Sequence, residues 1–303
     1  MEIFYAWVAR QAQAGHLPAD FQYAFLVRGI LCVLIMAPLL GGLSHLVISR
    51  RMAFFSAALG HASLTGLSIA LLIGEPLNAP YGGIFAFCLL SALGMVYVKR
   101  RTTLSSDSLI GVFLALTLGL GICLLVFVTR RFNIHQVESA MFGSLLTVTD
   151  GDLALLAWGG VLVCILLGRE YNGLLLDSLS GEIASVDDVD SAYVEYLFAV
   201  LLTVAIIISL KVIGALLVEA LVVVPAAAAR NLARSTRGYL VWSIAIALVA
   251  GMGGLGISTR LLVPTGGAVV LMLSLLFFVT LMIGAWIRNR SSKPAGDTVD
   301  RLG

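Results

Sequence analysis

The sequence contains few charged residues. Only 12% of its 303 residues are Asp, Glu, Lys or Arg, whereas 60% are hydrophobic, and an average soluble domain has about 25% charged residues. A soluble fold with so few charges could not cover its surface. The charge-free runs 238–259 and 263–287 each exceed the roughly 20 residues that a helix needs to cross a bilayer. The chain is therefore predicted to be a polytopic membrane protein.

The sequence also lacks the common motifs of catalysis. It contains no G-x-x-x-x-G-K-[ST] phosphate loop, no H-E-x-x-H zinc motif and no supported Ser/His/Asp arrangement, so we expect neither an enzyme nor a permanently bound cofactor. The net charge of +2 gives no reason to expect nucleic-acid binding. The four cysteines form no C-x-x-C pair and all lie in apolar runs, which predicts buried small hydrophobic residues rather than disulfides or metal ligands.

Nine charge-poor runs are candidate membrane spans. Only Lys211 separates the sixth from the seventh, so either a tight hairpin or one broken helix fits there, and the count becomes eight in the second case. The predicted fold is an all-α polytopic transmembrane helix bundle. The nine runs are 27–48, 52–73, 81–98, 109–129, 152–168, 193–210, 213–230, 238–258 and 264–287.

The distribution of Lys and Arg predicts the orientation. With the C-terminus in the cytoplasm, thirteen of the nineteen basic residues lie on the cytoplasmic side, as the positive-inside rule requires. We then expect an amphipathic N-terminal segment at the outer surface over 1–24, a membrane domain over 25–288 containing a cytoplasmic loop at 170–192, and a disordered cytoplasmic tail over 289–303.

That loop region is unusually acidic. Seven of the seventeen acidic residues lie between Arg169 and Glu195, counting Glu195 itself, and acidic residues contribute little to membrane orientation. Two interpretations remain open: a solvated loop, or a docking surface for a soluble cytoplasmic partner. The segment 179–184 resembles a short helix with a polar start, the kind of element that fits a groove on another subunit.

Two ionisable residues are predicted to lie deep in the membrane, where charge is costly and usually functional. His61 follows Arg51 by ten residues and Glu219 precedes Arg230 by eleven, which places both about 15 Å from the same boundary. An imidazole and a carboxylate suit a divalent cation such as Zn²⁺ or Mn²⁺. The alternatives are a His61 ring bonded to a backbone carbonyl and a protonated or paired Glu219. His45, near a span end, is expected to be interfacial.

Two helix features fit a bundle that rearranges as well as a static one. Pro225 interrupts the seventh span and is expected to kink it. The eighth span carries glycines that permit close helix–helix approach. These are Gly251, Gly253, Gly254 and Gly256.

Four segments resemble one family. Residues 50–66 contain R-R-M-A-F and L-G-H-A-S-L-T-G, and residues 212–230 read V-I-G-A-L-L-V-E-A-L-V-V-V-P-A-A-A-A-R. These segments, with 142–146 and 264–267, resemble the membrane permease of zinc, manganese and iron ABC transporters, the ABC-3 family. The resemblance implies a type-II-importer-like permease in the bacterial cytoplasmic membrane, with zinc, manganese or iron as its substrate.

The resemblance also implies partners. These are a second copy of the chain, a cytoplasmic ATP-binding subunit and an extracytoplasmic metal-binding protein. The acidic loop would be the element that couples ATP hydrolysis to transport, through Ser180, Gly181, Glu182, Ile183 and Ala184.

Two residues depart from the family pattern. Ala57 replaces the Asp four residues before the histidine, and Gly60 replaces the Ser directly before it. Glu219 occupies a position that is usually small or apolar in the family, so we infer that the carboxylate has moved from the second span to the seventh. The competing interpretations are import of a metal chelate and a stand-alone secondary metal transporter or channel.

Overall fold

A computed structural model describes residues 2–14, 22–76, 80–129, 148–179 and 190–291. Every regular element within these residues is an α-helix, as predicted. The helices, numbered here in chain order, are α1 Glu2–Gln13, α2 Ala24–Ser49, α3 Phe55–Ile73, α4 Tyr81–Arg101, α5 Ser106–Thr129, α6 Asp150–Leu179, α7 Ser191–Ile213, α8 Ala215–Ala229, α9 Thr236–Leu261 and α10 Thr265–Ser291.

Eight of the described helices are long and apolar enough to cross a membrane. The remaining apolar helix, α8, has 15 residues and a length of about 22 Å. The junction between the sixth and seventh predicted spans is a single residue, Gly214. It has a φ of 82° and lies between the last residue of α7 and the first residue of α8. Glycine adopts this positive φ without the steric cost that a side chain would impose.

Ion pairs and a shared cavity bring several helix ends together on one side of the bundle, called here the basic side. Arg50, after α2, pairs with Asp177 near the end of α6 at 3.0 Å, and Lys99 near the end of α4 pairs with Glu195 near the start of α7 at 2.6 Å. Arg230, after α8, lines a cavity with residues from the ends of α2 and α6 and the start of α9.

A second polar cluster marks the opposite side. Near the starts of α2 and α6, Arg28 Nε lies 2.7 Å from Asp150 Oδ1, and the Tyr5 hydroxyl donates to the same oxygen at 3.0 Å. The apolar face of α1 includes the buried residues Tyr5 and Val8. The described helix ends thus alternate between the two sides along the chain, and α8 returns to the basic side.

The core lies between α2 and α3 and the helices packed around them. α2 packs against α6, α8 and α9, while α3 packs against α4, α5 and α8. The largest fully buried side chains include Phe55 of α3 and Phe198 of α7. In α9, a Cβ added to Gly254 would lie 2.5 Å from the Val269 Cα of α10, so glycine permits this close crossing.

The cysteines divide into two groups. Cys32 and Cys88 are buried as predicted, but Cys123 of α5 and Cys164 of α6 are exposed. The burial prediction was wrong for these two because an apolar span still has one face directed away from the core. Within the described residues all four are free thiols.

Two helices extend beyond the predicted boundaries. α6 continues to Leu179, well past the start of the loop predicted at 170, and α10 continues to Ser291, past the predicted start of the tail. Charged residues had set the predicted boundaries, but a helix that leaves the hydrocarbon can continue through them into water.

Candidate metal pathway between two membrane helices

Glu219 lies on the second turn of α8. The short helix places the apolar side chains of Leu217, Val218, Leu221 and Val222 in the core. Glu219 is half-buried, and α8 packs against α2, α3 and α10. The carboxylate is therefore carried within the bundle by a helix whose other contacts are mostly apolar.

The Glu219 carboxylate lies against Gly60 of α3. A Cβ added to Gly60 would lie 2.6 Å from Glu219 Oε1 and 3.7 Å from the Ala215 Cβ. The absence of a side chain at position 60 therefore provides the space that the carboxylate oxygen occupies. Position 60 precedes His61, so the structure brings the segments of both predicted ligands together at one depth.

His61 is half-buried on α3. Its backbone carbonyl accepts a hydrogen bond from Thr65 Oγ1 at 3.4 Å. Among the side chains that the structure describes, which do not include that of Lys211, neither the His61 ring nor the Glu219 carboxylate has a hydrogen-bond or ion-pair partner. A ring bonded to a backbone carbonyl and a paired carboxylate are thus not found among these side chains.

The described residues contain no group of three or more His, Cys, Asp or Glu side chains that could hold a metal ion. Structural zinc sites usually use four protein ligands. One imidazole and one carboxylate would leave several coordination positions to water or to another chain. Such a partial ligand set suits transient contact with a passing ion, because conduction requires binding weak enough to allow release.

His45 has a structural role that the sequence did not reveal. It was expected to be interfacial, but it is fully buried. Its Nδ1 lies 3.1 Å from the Gly42 carbonyl and its Nε2 lies 3.2 Å from the Tyr171 hydroxyl, while its ring packs on Tyr239. Both ring nitrogens have partners, so His45 is not available as a metal ligand.

Ser44 supports the α8 backbone beside Pro225. The Ala226 N–H donates to Ser44 Oγ at 3.1 Å, and the Ser44 hydroxyl donates to the Val223 carbonyl at 3.4 Å. Proline removes one backbone donor from a helix and disturbs the preceding turn. Ser44 of α2 thus bonds backbone groups on either side of the proline, and the kink at Pro225 stays a prediction.

The predicted coupling residues Ser180, Gly181, Glu182, Ile183 and Ala184 lie outside the described residues. Their two flanks are linked through Asp177. Ser191 Oγ donates to Asp177 Oδ1 at 2.6 Å, and Arg50 pairs with Asp177 Oδ2. The end of α6 and the start of α7 are therefore tied to each other and to the end of α2.

The ABC 3 transport family model matches residues 22–284. The chain belongs to this family. The ABC-3 chain is 30% identical over 262 residues to the high-affinity zinc uptake system membrane protein ZnuB of Haemophilus influenzae, covering 86% of the chain and 97% of that protein. It is also 27% identical to the manganese import system permease protein ScaB of Streptococcus gordonii, covering 86% of the chain and 92% of that protein.

A solved structure has the same fold. PsaBC from Streptococcus pneumoniae in complex with Fab matches this ABC-3 chain with a TM-score of 0.76 and 24% sequence identity, covering 88% of this chain and 96% of the other. The predicted all-α bundle of a type-II-importer-like ABC permease is thus confirmed at the level of the fold.

Proposed function

We propose that this chain is the permease subunit of an ATP-driven importer that moves a divalent transition metal across the bacterial cytoplasmic membrane. The observation that carries this proposal is the Glu219 carboxylate against Gly60, directly before His61, between two packed membrane helices. An intramembrane carboxylate that faces the bundle interior typically marks an ion pathway.

In this proposal Glu219 and His61 replace part of the water shell of the passing ion. The carboxylate supplies negative charge that compensates the ion in a low-dielectric surrounding, and the neutral imidazole supplies a nitrogen ligand. A second copy of the chain would bring a second carboxylate and imidazole to the same pathway. The ion is the cargo, and no resident metal or other cofactor is part of the proposed mechanism.

The energy would come from a separate cytoplasmic subunit, since this sequence has no phosphate loop. The segment 180–184 is proposed to dock on that ATPase. Both flanks of the segment are anchored through Asp177, which supports this role, because a displacement of the segment would be transmitted directly to α2, α6 and α7. An extracytoplasmic metal-binding protein would deliver the ion at the opposite side.

Zinc, manganese and iron all accept the proposed ligand set, and affinity order alone does not decide selectivity in cells. The relatives named for zinc and for manganese support a cargo within this group.

The metal content of cells tests the proposed function. Cells with and without this gene are grown in metal-depleted medium, and zinc, manganese and iron are measured by mass spectrometry. We expect one metal to fall several-fold in the deletion strain and to recover when the wild-type gene returns. Unchanged content of all three metals would contradict import of a free ion. Recovery only with a supplied metal chelate would favour the chelate alternative instead.

A further inference from the structure

A cavity of about 570 Å³ opens on the basic side of the bundle, where α2, α6 and α8 end and α9 begins. Arg51, Arg230 and Arg234 line it, together with the hydroxyl-bearing residues Ser178 and Ser235. It is called here the arginine cavity. It lies at the end of α8 opposite Glu219, so it is distinct from the candidate metal pathway.

Within the described residues, no negative charge compensates the arginines of this cavity. Among the described residues no Asp or Glu lines it, and none of Arg51, Arg230 and Arg234 forms an ion pair there. The neighbouring Arg50 behaves differently, because it turns inward, pairs with Asp177 at 3.0 Å and donates to the Leu174 carbonyl at 3.0 Å. Three like charges around one concave surface repel one another unless an anion binds between them.

The backbone also favours an anion at this place. α9, a helix of 26 residues, begins at the cavity, and its cap residue Ser235 accepts a hydrogen bond from the Gly238 N–H at 3.1 Å. The N-terminus of a helix carries a partial positive charge. Arg51 has a left-handed backbone with φ of 55°, a conformation that costs a non-glycine residue energy and that often persists at functional sites.

We propose that the arginine cavity binds a phosphate group. Guanidinium groups match phosphate oxygens with paired hydrogen bonds, and serine hydroxyls add neutral donors. The group would come either from the headgroup of an anionic lipid or from free phosphate. Basic pockets between membrane helices on the cytoplasmic side typically bind anionic headgroups, and the basic side is the predicted cytoplasmic side of this chain.

The test measures binding to the purified full chain in neutral detergent and phosphate-free buffer by titration calorimetry. The probes are short-chain phosphatidylglycerol, short-chain phosphatidylcholine and inorganic phosphate, each at matched ionic strength. Binding of phosphatidylglycerol without phosphatidylcholine or inorganic phosphate supports the lipid source, whereas binding of inorganic phosphate that competes with phosphatidylglycerol supports free phosphate.

The variants locate the site. Arg230→Gln with Arg234→Gln is expected to weaken binding by about tenfold or more, since each lost charge-assisted bond is worth at least about 1.4 kcal/mol. Arg51→Gln serves as a second variant should the double variant fold poorly. Arg237→Gln is the matched control, because Arg237 is exposed in the first turn of α9 but does not line the cavity. An equal loss in Arg237→Gln would overturn the proposal.

Two further outcomes would also overturn it. One is the absence of binding by either phosphate probe. The other is that neither phosphate probe binds and that replacing Arg230 and Arg234 prevents association with the ATPase. That result would assign the cavity to a protein contact. Either result leaves the proposed metal transport untouched, because that function is measured by metal content.

Discussion

At the scale of single residues, two adjacent arginines have opposite environments. The Arg50 side chain is 6% exposed, pairs with Asp177 and lies over the Phe198 ring with 5.0 Å between guanidinium and ring centre. Arg51 is exposed and lines the arginine cavity. Burial lowers the pKa of Arg50, and the Asp177 carboxylate acts against this shift. The first arginine therefore joins three helices, whereas the second remains available to an anion.

Removing one partner of the Arg50–Asp177 pair tests its structural role. Asp177→Asn is expected to lower the free energy of unfolding by about 3 kcal/mol, because it removes the ion-pair partner of a buried guanidinium. Unfolding of the purified chain in detergent, followed by circular dichroism, measures this loss. Glu170→Gln is the control, since its partner Arg169 is 81% exposed and an exposed pair contributes less than about 1 kcal/mol. Equal effects of the two substitutions would contradict the assignment.

The sequence predicts which ionisable residues lie deep in the membrane, because distance from a boundary arginine along a helix indicates depth, and this depth stays a prediction. It indicated His61 and Glu219 in this way, and Arg51 and Arg230 do line one common cavity. It did not reveal Ser44 or the burial of His45. Both depend on which face of α2 meets α8 and α6, and a helix that is apolar all round carries no pattern that identifies that face.

At the scale of helices, glycines at crossings set how closely α3 approaches its neighbours. A Cβ on Gly66 would lie 2.7 Å from the Ile84 Cα and 2.8 Å from the Gly83 carbonyl oxygen, both in the backbone of α4. The atoms nearest to a Cβ on Gly60 would be those at the movable end of Glu219 and, at an ordinary distance, the Ala215 Cβ. The two glycines of one helix thus serve different purposes.

Alanine substitutions separate these purposes. Gly66→Ala is expected to reduce the amount of folded protein in the membrane, because the α4 backbone cannot move aside cheaply. Gly60→Ala is expected to leave the amount of folded protein nearly unchanged but to lower metal uptake, because it displaces the Glu219 carboxylate. Membrane content by immunoblot and the initial rate of uptake give the two measurements. Full uptake by Gly60→Ala would show that the carboxylate position does not matter.

Most of the described apolar helices were predictable, whereas helix ends and the junction at Gly214 were less so. Apolar run length predicts a span directly, because the bilayer thickness sets the number of residues. The reversal at Gly214 could not be decided, since Lys211 fits both a hairpin and a broken helix. The positive φ of Gly214 and the packing of α8 against α2, α3 and α10 resolve this junction in the structure.

At the scale of the whole molecule, the proposed pathway and the proposed coupling segment are connected through α2 and its neighbours. α2 is tied to the flanks of the coupling segment through Arg50 and Asp177, and to the backbone of α8 through Ser44. α8 in turn carries Glu219. A displacement at the basic side therefore has a continuous packed route to the carboxylate, which is the arrangement an ATP-driven permease requires.

The central claim is that Glu219 lines the pathway of the metal. The most direct test is the initial rate of zinc and manganese uptake in cells whose only copy of the gene carries Glu219→Gln. We predict a fall of about tenfold or more at equal membrane content, since loss of an anionic ligand worth about 1.4 kcal/mol corresponds to tenfold. Asp107→Asn, at an exposed carboxylate at the start of α5, should transport at the wild-type rate. Wild-type uptake by Glu219→Gln would contradict the account.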